Sequence, residues 1–481
     1  MIGAQLRRLG KHSAIYGLGG LVSRILAVLL LPLYTSYLTP ADFGRVETLV
    51  ALNAILVTLL RGGISTAFFR FYFDSTEPEQ RLKVLRTSFW FTMATSTLGL
   101  VLGWIFASAI SDFLKIDDDT LVRAAFIGLW AQMNYEQLTS LFRVEERSVA
   151  FVAASLANVL LTIGTTVLLV VAFDEGALGV VVGNFTGTLL VYLALLGYRR
   201  EQLGLQFDRE LLRRMNRFGL PLVPSGLALW ALTFSDRFFL ARIAGQEDVG
   251  RYSLGVRIAS AMVLLLVAFR MAWPAFAYSI EDEREARRTY AFVLTYLLYV
   301  SCWLSLALGV LAPWIVRVLA RDEAFWPGAD VVAPLAFAGA LWGAYTVVAI
   351  GIGRLRRTQF NWVVTGAAAV INIGLCFALV PPFAMIGAAI ATVVSMAAMF
   401  GLMAVHAQRV YPVPYQWRRV ALVSAAAVAL AALGRALHLP LAPSLVLALA
   451  YPVILLPLGF YLPGERRRLV AAGRRLVAAA R

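Results

Sequence analysis

Apolar runs of about twenty residues recur from one end of this chain to the other, and that recurrence limits the fold more than any motif does. A helix rises about 1.5 Å per residue, so each run is long enough to cross a hydrocarbon layer of about 30 Å. Inside lipid every backbone N–H and C=O needs an internal partner, which leaves helices or closed barrels. The runs here lack the in-out alternation of a barrel strand. The 481 residues are 60% hydrophobic and only 15% charged, with mean hydropathy +0.76. The expected fold class is an all-α polytopic membrane protein.

Apolar length and breaker residues place about fourteen transmembrane helices, near 13–38, 46–72, 86–111, 121–142, 150–172, 177–198, 218–242, 250–279, 288–312, 329–351, 359–380, 384–407, 418–437 and 442–462. Charge then orients them. With the N-terminus in the cytoplasm, 29 of the 43 Lys and Arg fall in inside segments, eight in outside loops and six within spans. This is the positive-inside bias, so a cell (inner) membrane protein with both termini cytoplasmic is expected. Arg7, Arg8 and Lys11 precede a long apolar run with no small-residue cleavage site, which predicts a retained first span. The net charge of +15 is thereby a topology signal, and no nucleic-acid-binding signature accompanies it. Cys302 and Cys376 lie in different apolar runs and read as small buried hydrophobes, not a disulfide.

The longest connection, RREQLGLQFDRELLRRMNR at 199–217, is basic and central. It divides the chain into an N-lobe (1–198, spans one to six) and a C-lobe (218–410, spans seven to twelve), followed by spans thirteen and fourteen (411–463). The tail 464–481 repeats Leu469-Val470 as Leu476-Val477 among arginines. That suits a helix lying on anionic phospholipids, or a frayed basic end that only fixes topology. An internal repeat supports two lobes. TPADFGRVETLV (39–50) and GQEDVGRYSLGV (245–256) align Asp42-Phe43-Gly44-Arg45 with Asp248-Val249-Gly250-Arg251 at an offset of 206 residues. Asn158 and Asn372, and Gly179 and Gly387, echo it. An even number of spans separates the copies, so the lobes share an orientation and an axis along the membrane normal.

The stretch YGLGGLVSRILAVLLLPLYTSYLTPADFGRVETL (16–49) resembles the opening of polysaccharide flippases of the multidrug/oligosaccharidyl-lipid/polysaccharide exporter superfamily. FGLPLVPSGLALWALTFSDRFFLARIAGQEDVGRYSLGVRIA (218–259) resembles the start of their second half. The resemblance extends over essentially the whole chain. It implies two six-helix lobes facing a central cavity, a C-terminal helix pair, and movement of undecaprenyl-diphosphate-linked glycans from the inner to the outer leaflet. Partners so implied are the lipid-linked glycan and other polysaccharide-assembly membrane proteins.

Six arginines fall within spans: Arg24, Arg61 and Arg70 in the first two, Arg237, Arg257 and Arg270 in spans seven and eight. An intramembrane guanidinium is expensive and should face the bundle interior or water. Arginine also grips a diphosphate bidentately, so these six are the candidate substrate-binding residues. Arg61 shares a helix face with Thr58 and Ser65. The competing reading is internal pairing with Glu47, Glu136 and Asp236, or, for Arg70 and Arg257, anchoring at the membrane interface. The same three carboxylates are candidates for a coupling proton or sodium ion. Pro221, Pro224 and Gly226 make span seven breakable, as Pro32 does span one. KIDDDT (115–120) has the Asp-x-Asp spacing of metal-dependent glycosyltransferases, but precedes a helix and reads better as an N-cap. No catalytic residue, metal site or other cofactor is expected. Two rival functions are a cation-coupled drug antiporter of the same superfamily and a membrane glycan polymerase or ligase. The positive cavity disfavours the first, and the short outside loops disfavour the second.

Overall fold

The computed structural model describes residues 30–355 and 358–464. Most of the first span, Arg24 and the tail beyond Gly464 lie outside the described residues. Within them the chain is helical, without a strand. The helices are α1 Leu31–Tyr37, α2 Pro40–Arg61, α3 Ile64–Tyr72, α4 Pro78–Ile105, α5 Ala107–Leu114, α6 Asp119–Val144, α7 Ser148–Val167, α8 Gly176–Arg199, α9 Arg209–Gly219, α10 Val223–Ile243, α11 Gln246–Ala259, α12 Ala261–Ser279, α13 Glu283–Leu319, α14 Val332–Arg354, α15 Asn361–Val410, α16 Trp417–Ala436 and α17 Leu441–Ile454.

Among the described residues, ten helices are long and apolar enough to cross a membrane. At fifty residues α15 would be about 75 Å long if straight, over twice a hydrocarbon core. It breaks at Ala384, whose φ of 45° and ψ of −126° are non-helical, so it supplies spans eleven and twelve. Pro381 and Pro382, just before, remove two backbone donors. Helix α6 is long enough to span but carries Gln132, Asn134, Glu136 and Gln137 in its middle, and is not among the ten. Large apolar side chains stand on the outside of the bundle, Phe377 at 73% exposure and Val370 at 71%. Such a surface suits lipid tails, not water. This is a multi-pass membrane protein.

The chain forms two compact units. The first contains residues up to Ser253, with Leu319–Phe325 and the Ala369–Ala388 part of α15; the second contains the remainder. In the first, Ile64, Phe68, Phe89, Leu138, Phe142 and Tyr192 form a core that Leu211 and Met215 of α9 join. The basic linker is thus packed onto the unit. Asp208 caps α9 by accepting from Leu211 N at 2.9 Å. Arg86 and Trp90 of α4 donate to the carbonyls of Gln202 and Gly204 at 2.9 and 3.2 Å. Arg199, closing α8, grips both oxygens of Glu145 at 2.8 and 2.6 Å. Asp118 caps α6, accepting from Leu121 N at 3.0 Å, which is the expected use of the acidic run.

In the second unit, Gly339 and Gly343 let α14 approach Met262 and Leu266 of α12. The ends of α12, α13 and α14 are tied where Arg354 donates to the Ile280 carbonyl at 2.8 Å and to Glu283 at 3.2 Å. Tyr411, just past α15, donates to the other oxygen of Glu283. Burial, then the hydrogen bond to Glu283 and its charge, push the Tyr411 hydroxyl up to about 12, so it stays a donor at neutral pH.

Candidate functional site

The repeat motif builds the first part of the site. Thr39 and Asp42 form a capping box at the start of α2, each side chain accepting from the other's backbone N–H. Arg45 pairs with Asp42 at 3.2 Å, and in the second copy Arg251 pairs with Asp248 at 3.5 Å. The two copies lie against each other through their glycines. A Cβ on Gly44 would fall 1.8 Å from the Gln246 carbonyl oxygen, and one on Gly250 would fall 1.9 Å from that of Pro40. Thr48 donates to Gln246 at 2.9 Å across the same contact. The echo of Asn158 in Asn372 does not extend to equivalent partners. Asn158 accepts from Thr188 at 3.1 Å and Asn372 from Ser235 at 3.0 Å. Gly179 and Gly387 each abut a backbone carbonyl at the end of the preceding span, those of Leu169 and Leu379.

Three of the intramembrane arginines have carboxylate partners: Arg237, Arg61 and Arg70. Arg237 on α10 is buried with Asp236 at 3.2 Å and Glu47 of α2 at 3.6 Å. Its Nη1 also donates to the Thr233 carbonyl at 3.0 Å. Tyr252 donates to the second Asp236 oxygen. Arg61 meets Glu136 of α6 at 2.7 Å and donates to the Met133 carbonyl at 3.3 Å. Glu136 also accepts from Gln132 at 3.0 Å. Glu47 and Arg61 are fourteen residues apart on α2, about 21 Å of rise, so the two clusters occupy different depths.

Local geometry explains why Arg61 is where it is. It ends α2, and Gly62 and Gly63 follow with φ of 50° and 77° before α3 begins. Positive φ at both positions suits glycine. The sequence predicts one span over 46–72; the chain instead breaks at this Gly-Gly step. Arg61 therefore sits on the last turn of a helix, where free carbonyls favour a cation. The break is packed: a Cβ on Gly63 would lie 2.2 Å from the carbonyl oxygen of Gly219, beside the 3₁₀ turn Leu220–Leu222 that opens span seven. Span two and span seven are thus both discontinuous at one contact.

The other arginines are placed separately. Arg70 ends α3, exposed, 2.9 Å from Asp74. Arg257 is half-buried in the last turn of α11. Arg270 lies midway along α12, exposed, its Cζ 4.3 Å from the centre of the Trp342 ring. Among the described residues no carboxylate pairs with it. Carboxylates thus offset three of these arginines, Arg61, Arg70 and Arg237, and Arg270 remains a charge held by an aromatic face. Among the described residues no three His, Cys, Asp or Glu side chains converge as metal ligands. Gln132, Thr233 and Tyr252 complete these clusters, and of the three only Tyr252, in the Gly250-Arg251-Tyr252 turn, belongs to the stretches that carry the family resemblance. Gln132 stands four residues before Glu136, a spacing that places them on one face.

Solved structures with this fold are known. The lipid II flippase MurJ, in an inward closed conformation, superposes with TM-score 0.75 over 92% of this chain and 99% of that one, at 12% identity. An inward-facing multidrug resistance MATE family transporter of the MOP superfamily gives 0.68 over 84% and 98%, at 13% identity. The chain shares the fold of these two transporters. The polysaccharide biosynthesis protein family matches residues 9–279, more than half of the chain, and the chain belongs to it. The MatE family matches residues 221–378. A Haemophilus influenzae protein of the Lsg locus is 24% identical over 287 residues, 57% of this chain and 67% of that one.

Proposed function

We propose that this protein flips an undecaprenyl-diphosphate-linked oligosaccharide from the inner to the outer leaflet of the inner membrane, with both termini cytoplasmic, by alternating access. Membership in a polysaccharide biosynthesis family supports a glycan cargo. One observation carries the reading. The Arg61 guanidinium, at a helix break, is held by a Glu136 carboxylate that is itself 37% exposed. A partly exposed ion pair exchanges readily, because solvent screens it and each partner can be replaced. A diphosphate presents the same bidentate acceptor geometry with more charge, and displaces the carboxylate. Arg270, in the second unit, keeps its charge against the Trp342 ring and is a separate candidate for the cargo.

In proteoliposomes loaded with a fluorescent diphosphate-linked glycan, Arg61→Ala and Arg270→Ala should each reduce flipping at least tenfold with insertion unchanged. Glu136→Gln, which removes the competing carboxylate charge, should retain cargo binding. Normal flipping by both arginine variants rejects the proposal. The MatE match favours one alternative, a cation-driven drug antiporter. Transport of a cationic dye, unaffected by a diphosphate lipid, would establish it.

A further inference from the structure

The second unit contains a cleft of about 540 Å³ that the flipping site does not use. Four helix ends meet there: the last turns of α13, the 3₁₀ segment Glu323–Val331, the end of α16 and the turn leading to α17. A Schellman-type ending of α16, with His438 N bonded to the Arg435 carbonyl at 3.2 Å and Leu439 N to that of Gly434 at 3.4 Å, turns His438 into the wall. Gly434 packs under Val310 and keeps the floor close.

The lining chemistry is specific. The guanidinium of Arg317 lies over two indoles, 5.0 Å from the centre of Trp314 and 4.8 Å from that of Trp326. Such stacking fixes the guanidinium plane and leaves its in-plane N–H donors available to an acceptor. Arg435 pairs with Asp330 at the opposite wall, so those two charges cancel. Arg317, exposed, has no carboxylate partner among the described residues. The cleft therefore carries one net positive charge beside two aromatic rings and an ion pair rich in donors and acceptors. Helix-end placement alone accounts for a cation at each helix terminus. It does not account for a concave site of ligand size, within the roughly 300–1,000 Å³ of small-molecule pockets.

We infer that this cleft binds an acidic sugar residue of the exported glycan, a uronate or a similarly carboxylated hexose. The Arg317 fork takes the carboxylate, an indole takes the C–H face of the pyranose, and the Asp330–Arg435 pair takes ring hydroxyls. The span alternation read from charge puts these helix ends on the outer face, where the sugar arrives after flipping. The inference rests on the glycan-transport reading and narrows its cargo to anionic glycans.

Calorimetric titration of the full-length protein in neutral-lipid nanodiscs with a soluble glucuronate disaccharide tests it. Saturable binding is expected, with no response to the neutral glucose disaccharide. Arg317→Gln should weaken it about tenfold or more, the loss of a charge-assisted hydrogen-bonding group, and Arg317→Lys should weaken it less. Arg270→Ala should bind the disaccharide normally while failing to flip, which separates the cleft from the flipping site. Equal binding of both disaccharides, no binding, or full binding by Arg317→Gln would overturn the assignment. So would phosphatidylglycerol blocking the disaccharide and binding in an Arg317-dependent manner, which would make the cleft a headgroup site.

Discussion

Arg237 and Arg270 meet the cost of an intramembrane charge in opposite ways. Arg237 is 4% exposed and closed in by Asp236 and Glu47. A buried pair contributes little relative to an apolar replacement, but removing one partner strands the other, at about 3–5 kcal/mol. Arg237→Met should therefore lower stability by about that amount and broaden the melt in detergent. Arg270 is exposed and rests on an indole, so Arg270→Ala should change stability by about 0.5 kcal/mol or less. Thermal unfolding followed by tryptophan fluorescence checks both. Equal losses would mean that Arg270 is a structural charge and would count against its role in cargo capture. The six arginines were visible in the sequence because charge inside an apolar run is conspicuous. Their partners were visible only as a short inventory of carboxylates. Which of Glu47, Glu136 and Asp236 meets which arginine depends on helix rotation and approach, and residue spacing on one helix says nothing about its neighbour. Glu47 and Arg61 share nearly one face of α2 by spacing, yet each pairs with a different helix.

At the scale of the element, length and hydropathy recover helices well but miss breaks within them. The run across Gly62 and Gly63 is apolar on both sides, so it reads as one span. Two consecutive residues of positive φ end α2 there and start α3. At Ala384 the break was legible, because Pro381 and Pro382 precede it and mark two spans, and the φ and ψ there are non-helical. The repeat was legible as a pattern. That its two copies touch was not, because a glycine's role in close approach appears only once its neighbour is known. This contact makes a sharp prediction. Gly44→Ala and Gly250→Ala would each force a methyl to within 2 Å of a backbone carbonyl oxygen, which cannot move as a side-chain tip can. Overpacking of this kind costs about 1–3 kcal/mol or more, and each variant should show reduced yield of folded protein by size-exclusion profile. Gly374, on α15, has nothing within 4 Å of its would-be Cβ. Gly374→Ala should match the parent, and an equal loss there would show that the assay reads helix propensity, not the repeat contact.

For the whole molecule, orientation follows from charge arithmetic and depends on every span being counted. Missing or inventing one span mid-chain would exchange inside and outside for all that follows, and the segregation of 29 inside Lys and Arg against eight outside would disappear. The coordinates supply two probes at opposite ends of that reasoning. Leu205 is 88% exposed in the linker that the alternation places inside. Arg321 is exposed in the segment between α13 and α14, which the alternation places outside and which adjoins the cleft of Trp314 and Trp326. Both native cysteines are free and buried, so single-cysteine labelling has little background. A membrane-impermeant maleimide should label Arg321→Cys in intact spheroplasts and Leu205→Cys only after permeabilisation. Reversed labelling would invert the topology, move the acidic-sugar cleft to the cytoplasmic face and remove its place after flipping. Labelling of both from one side would mean that an odd number of crossings has been lost or gained between residues 205 and 321, and the like orientation of the two repeats would fall with it if that crossing lies before residue 245.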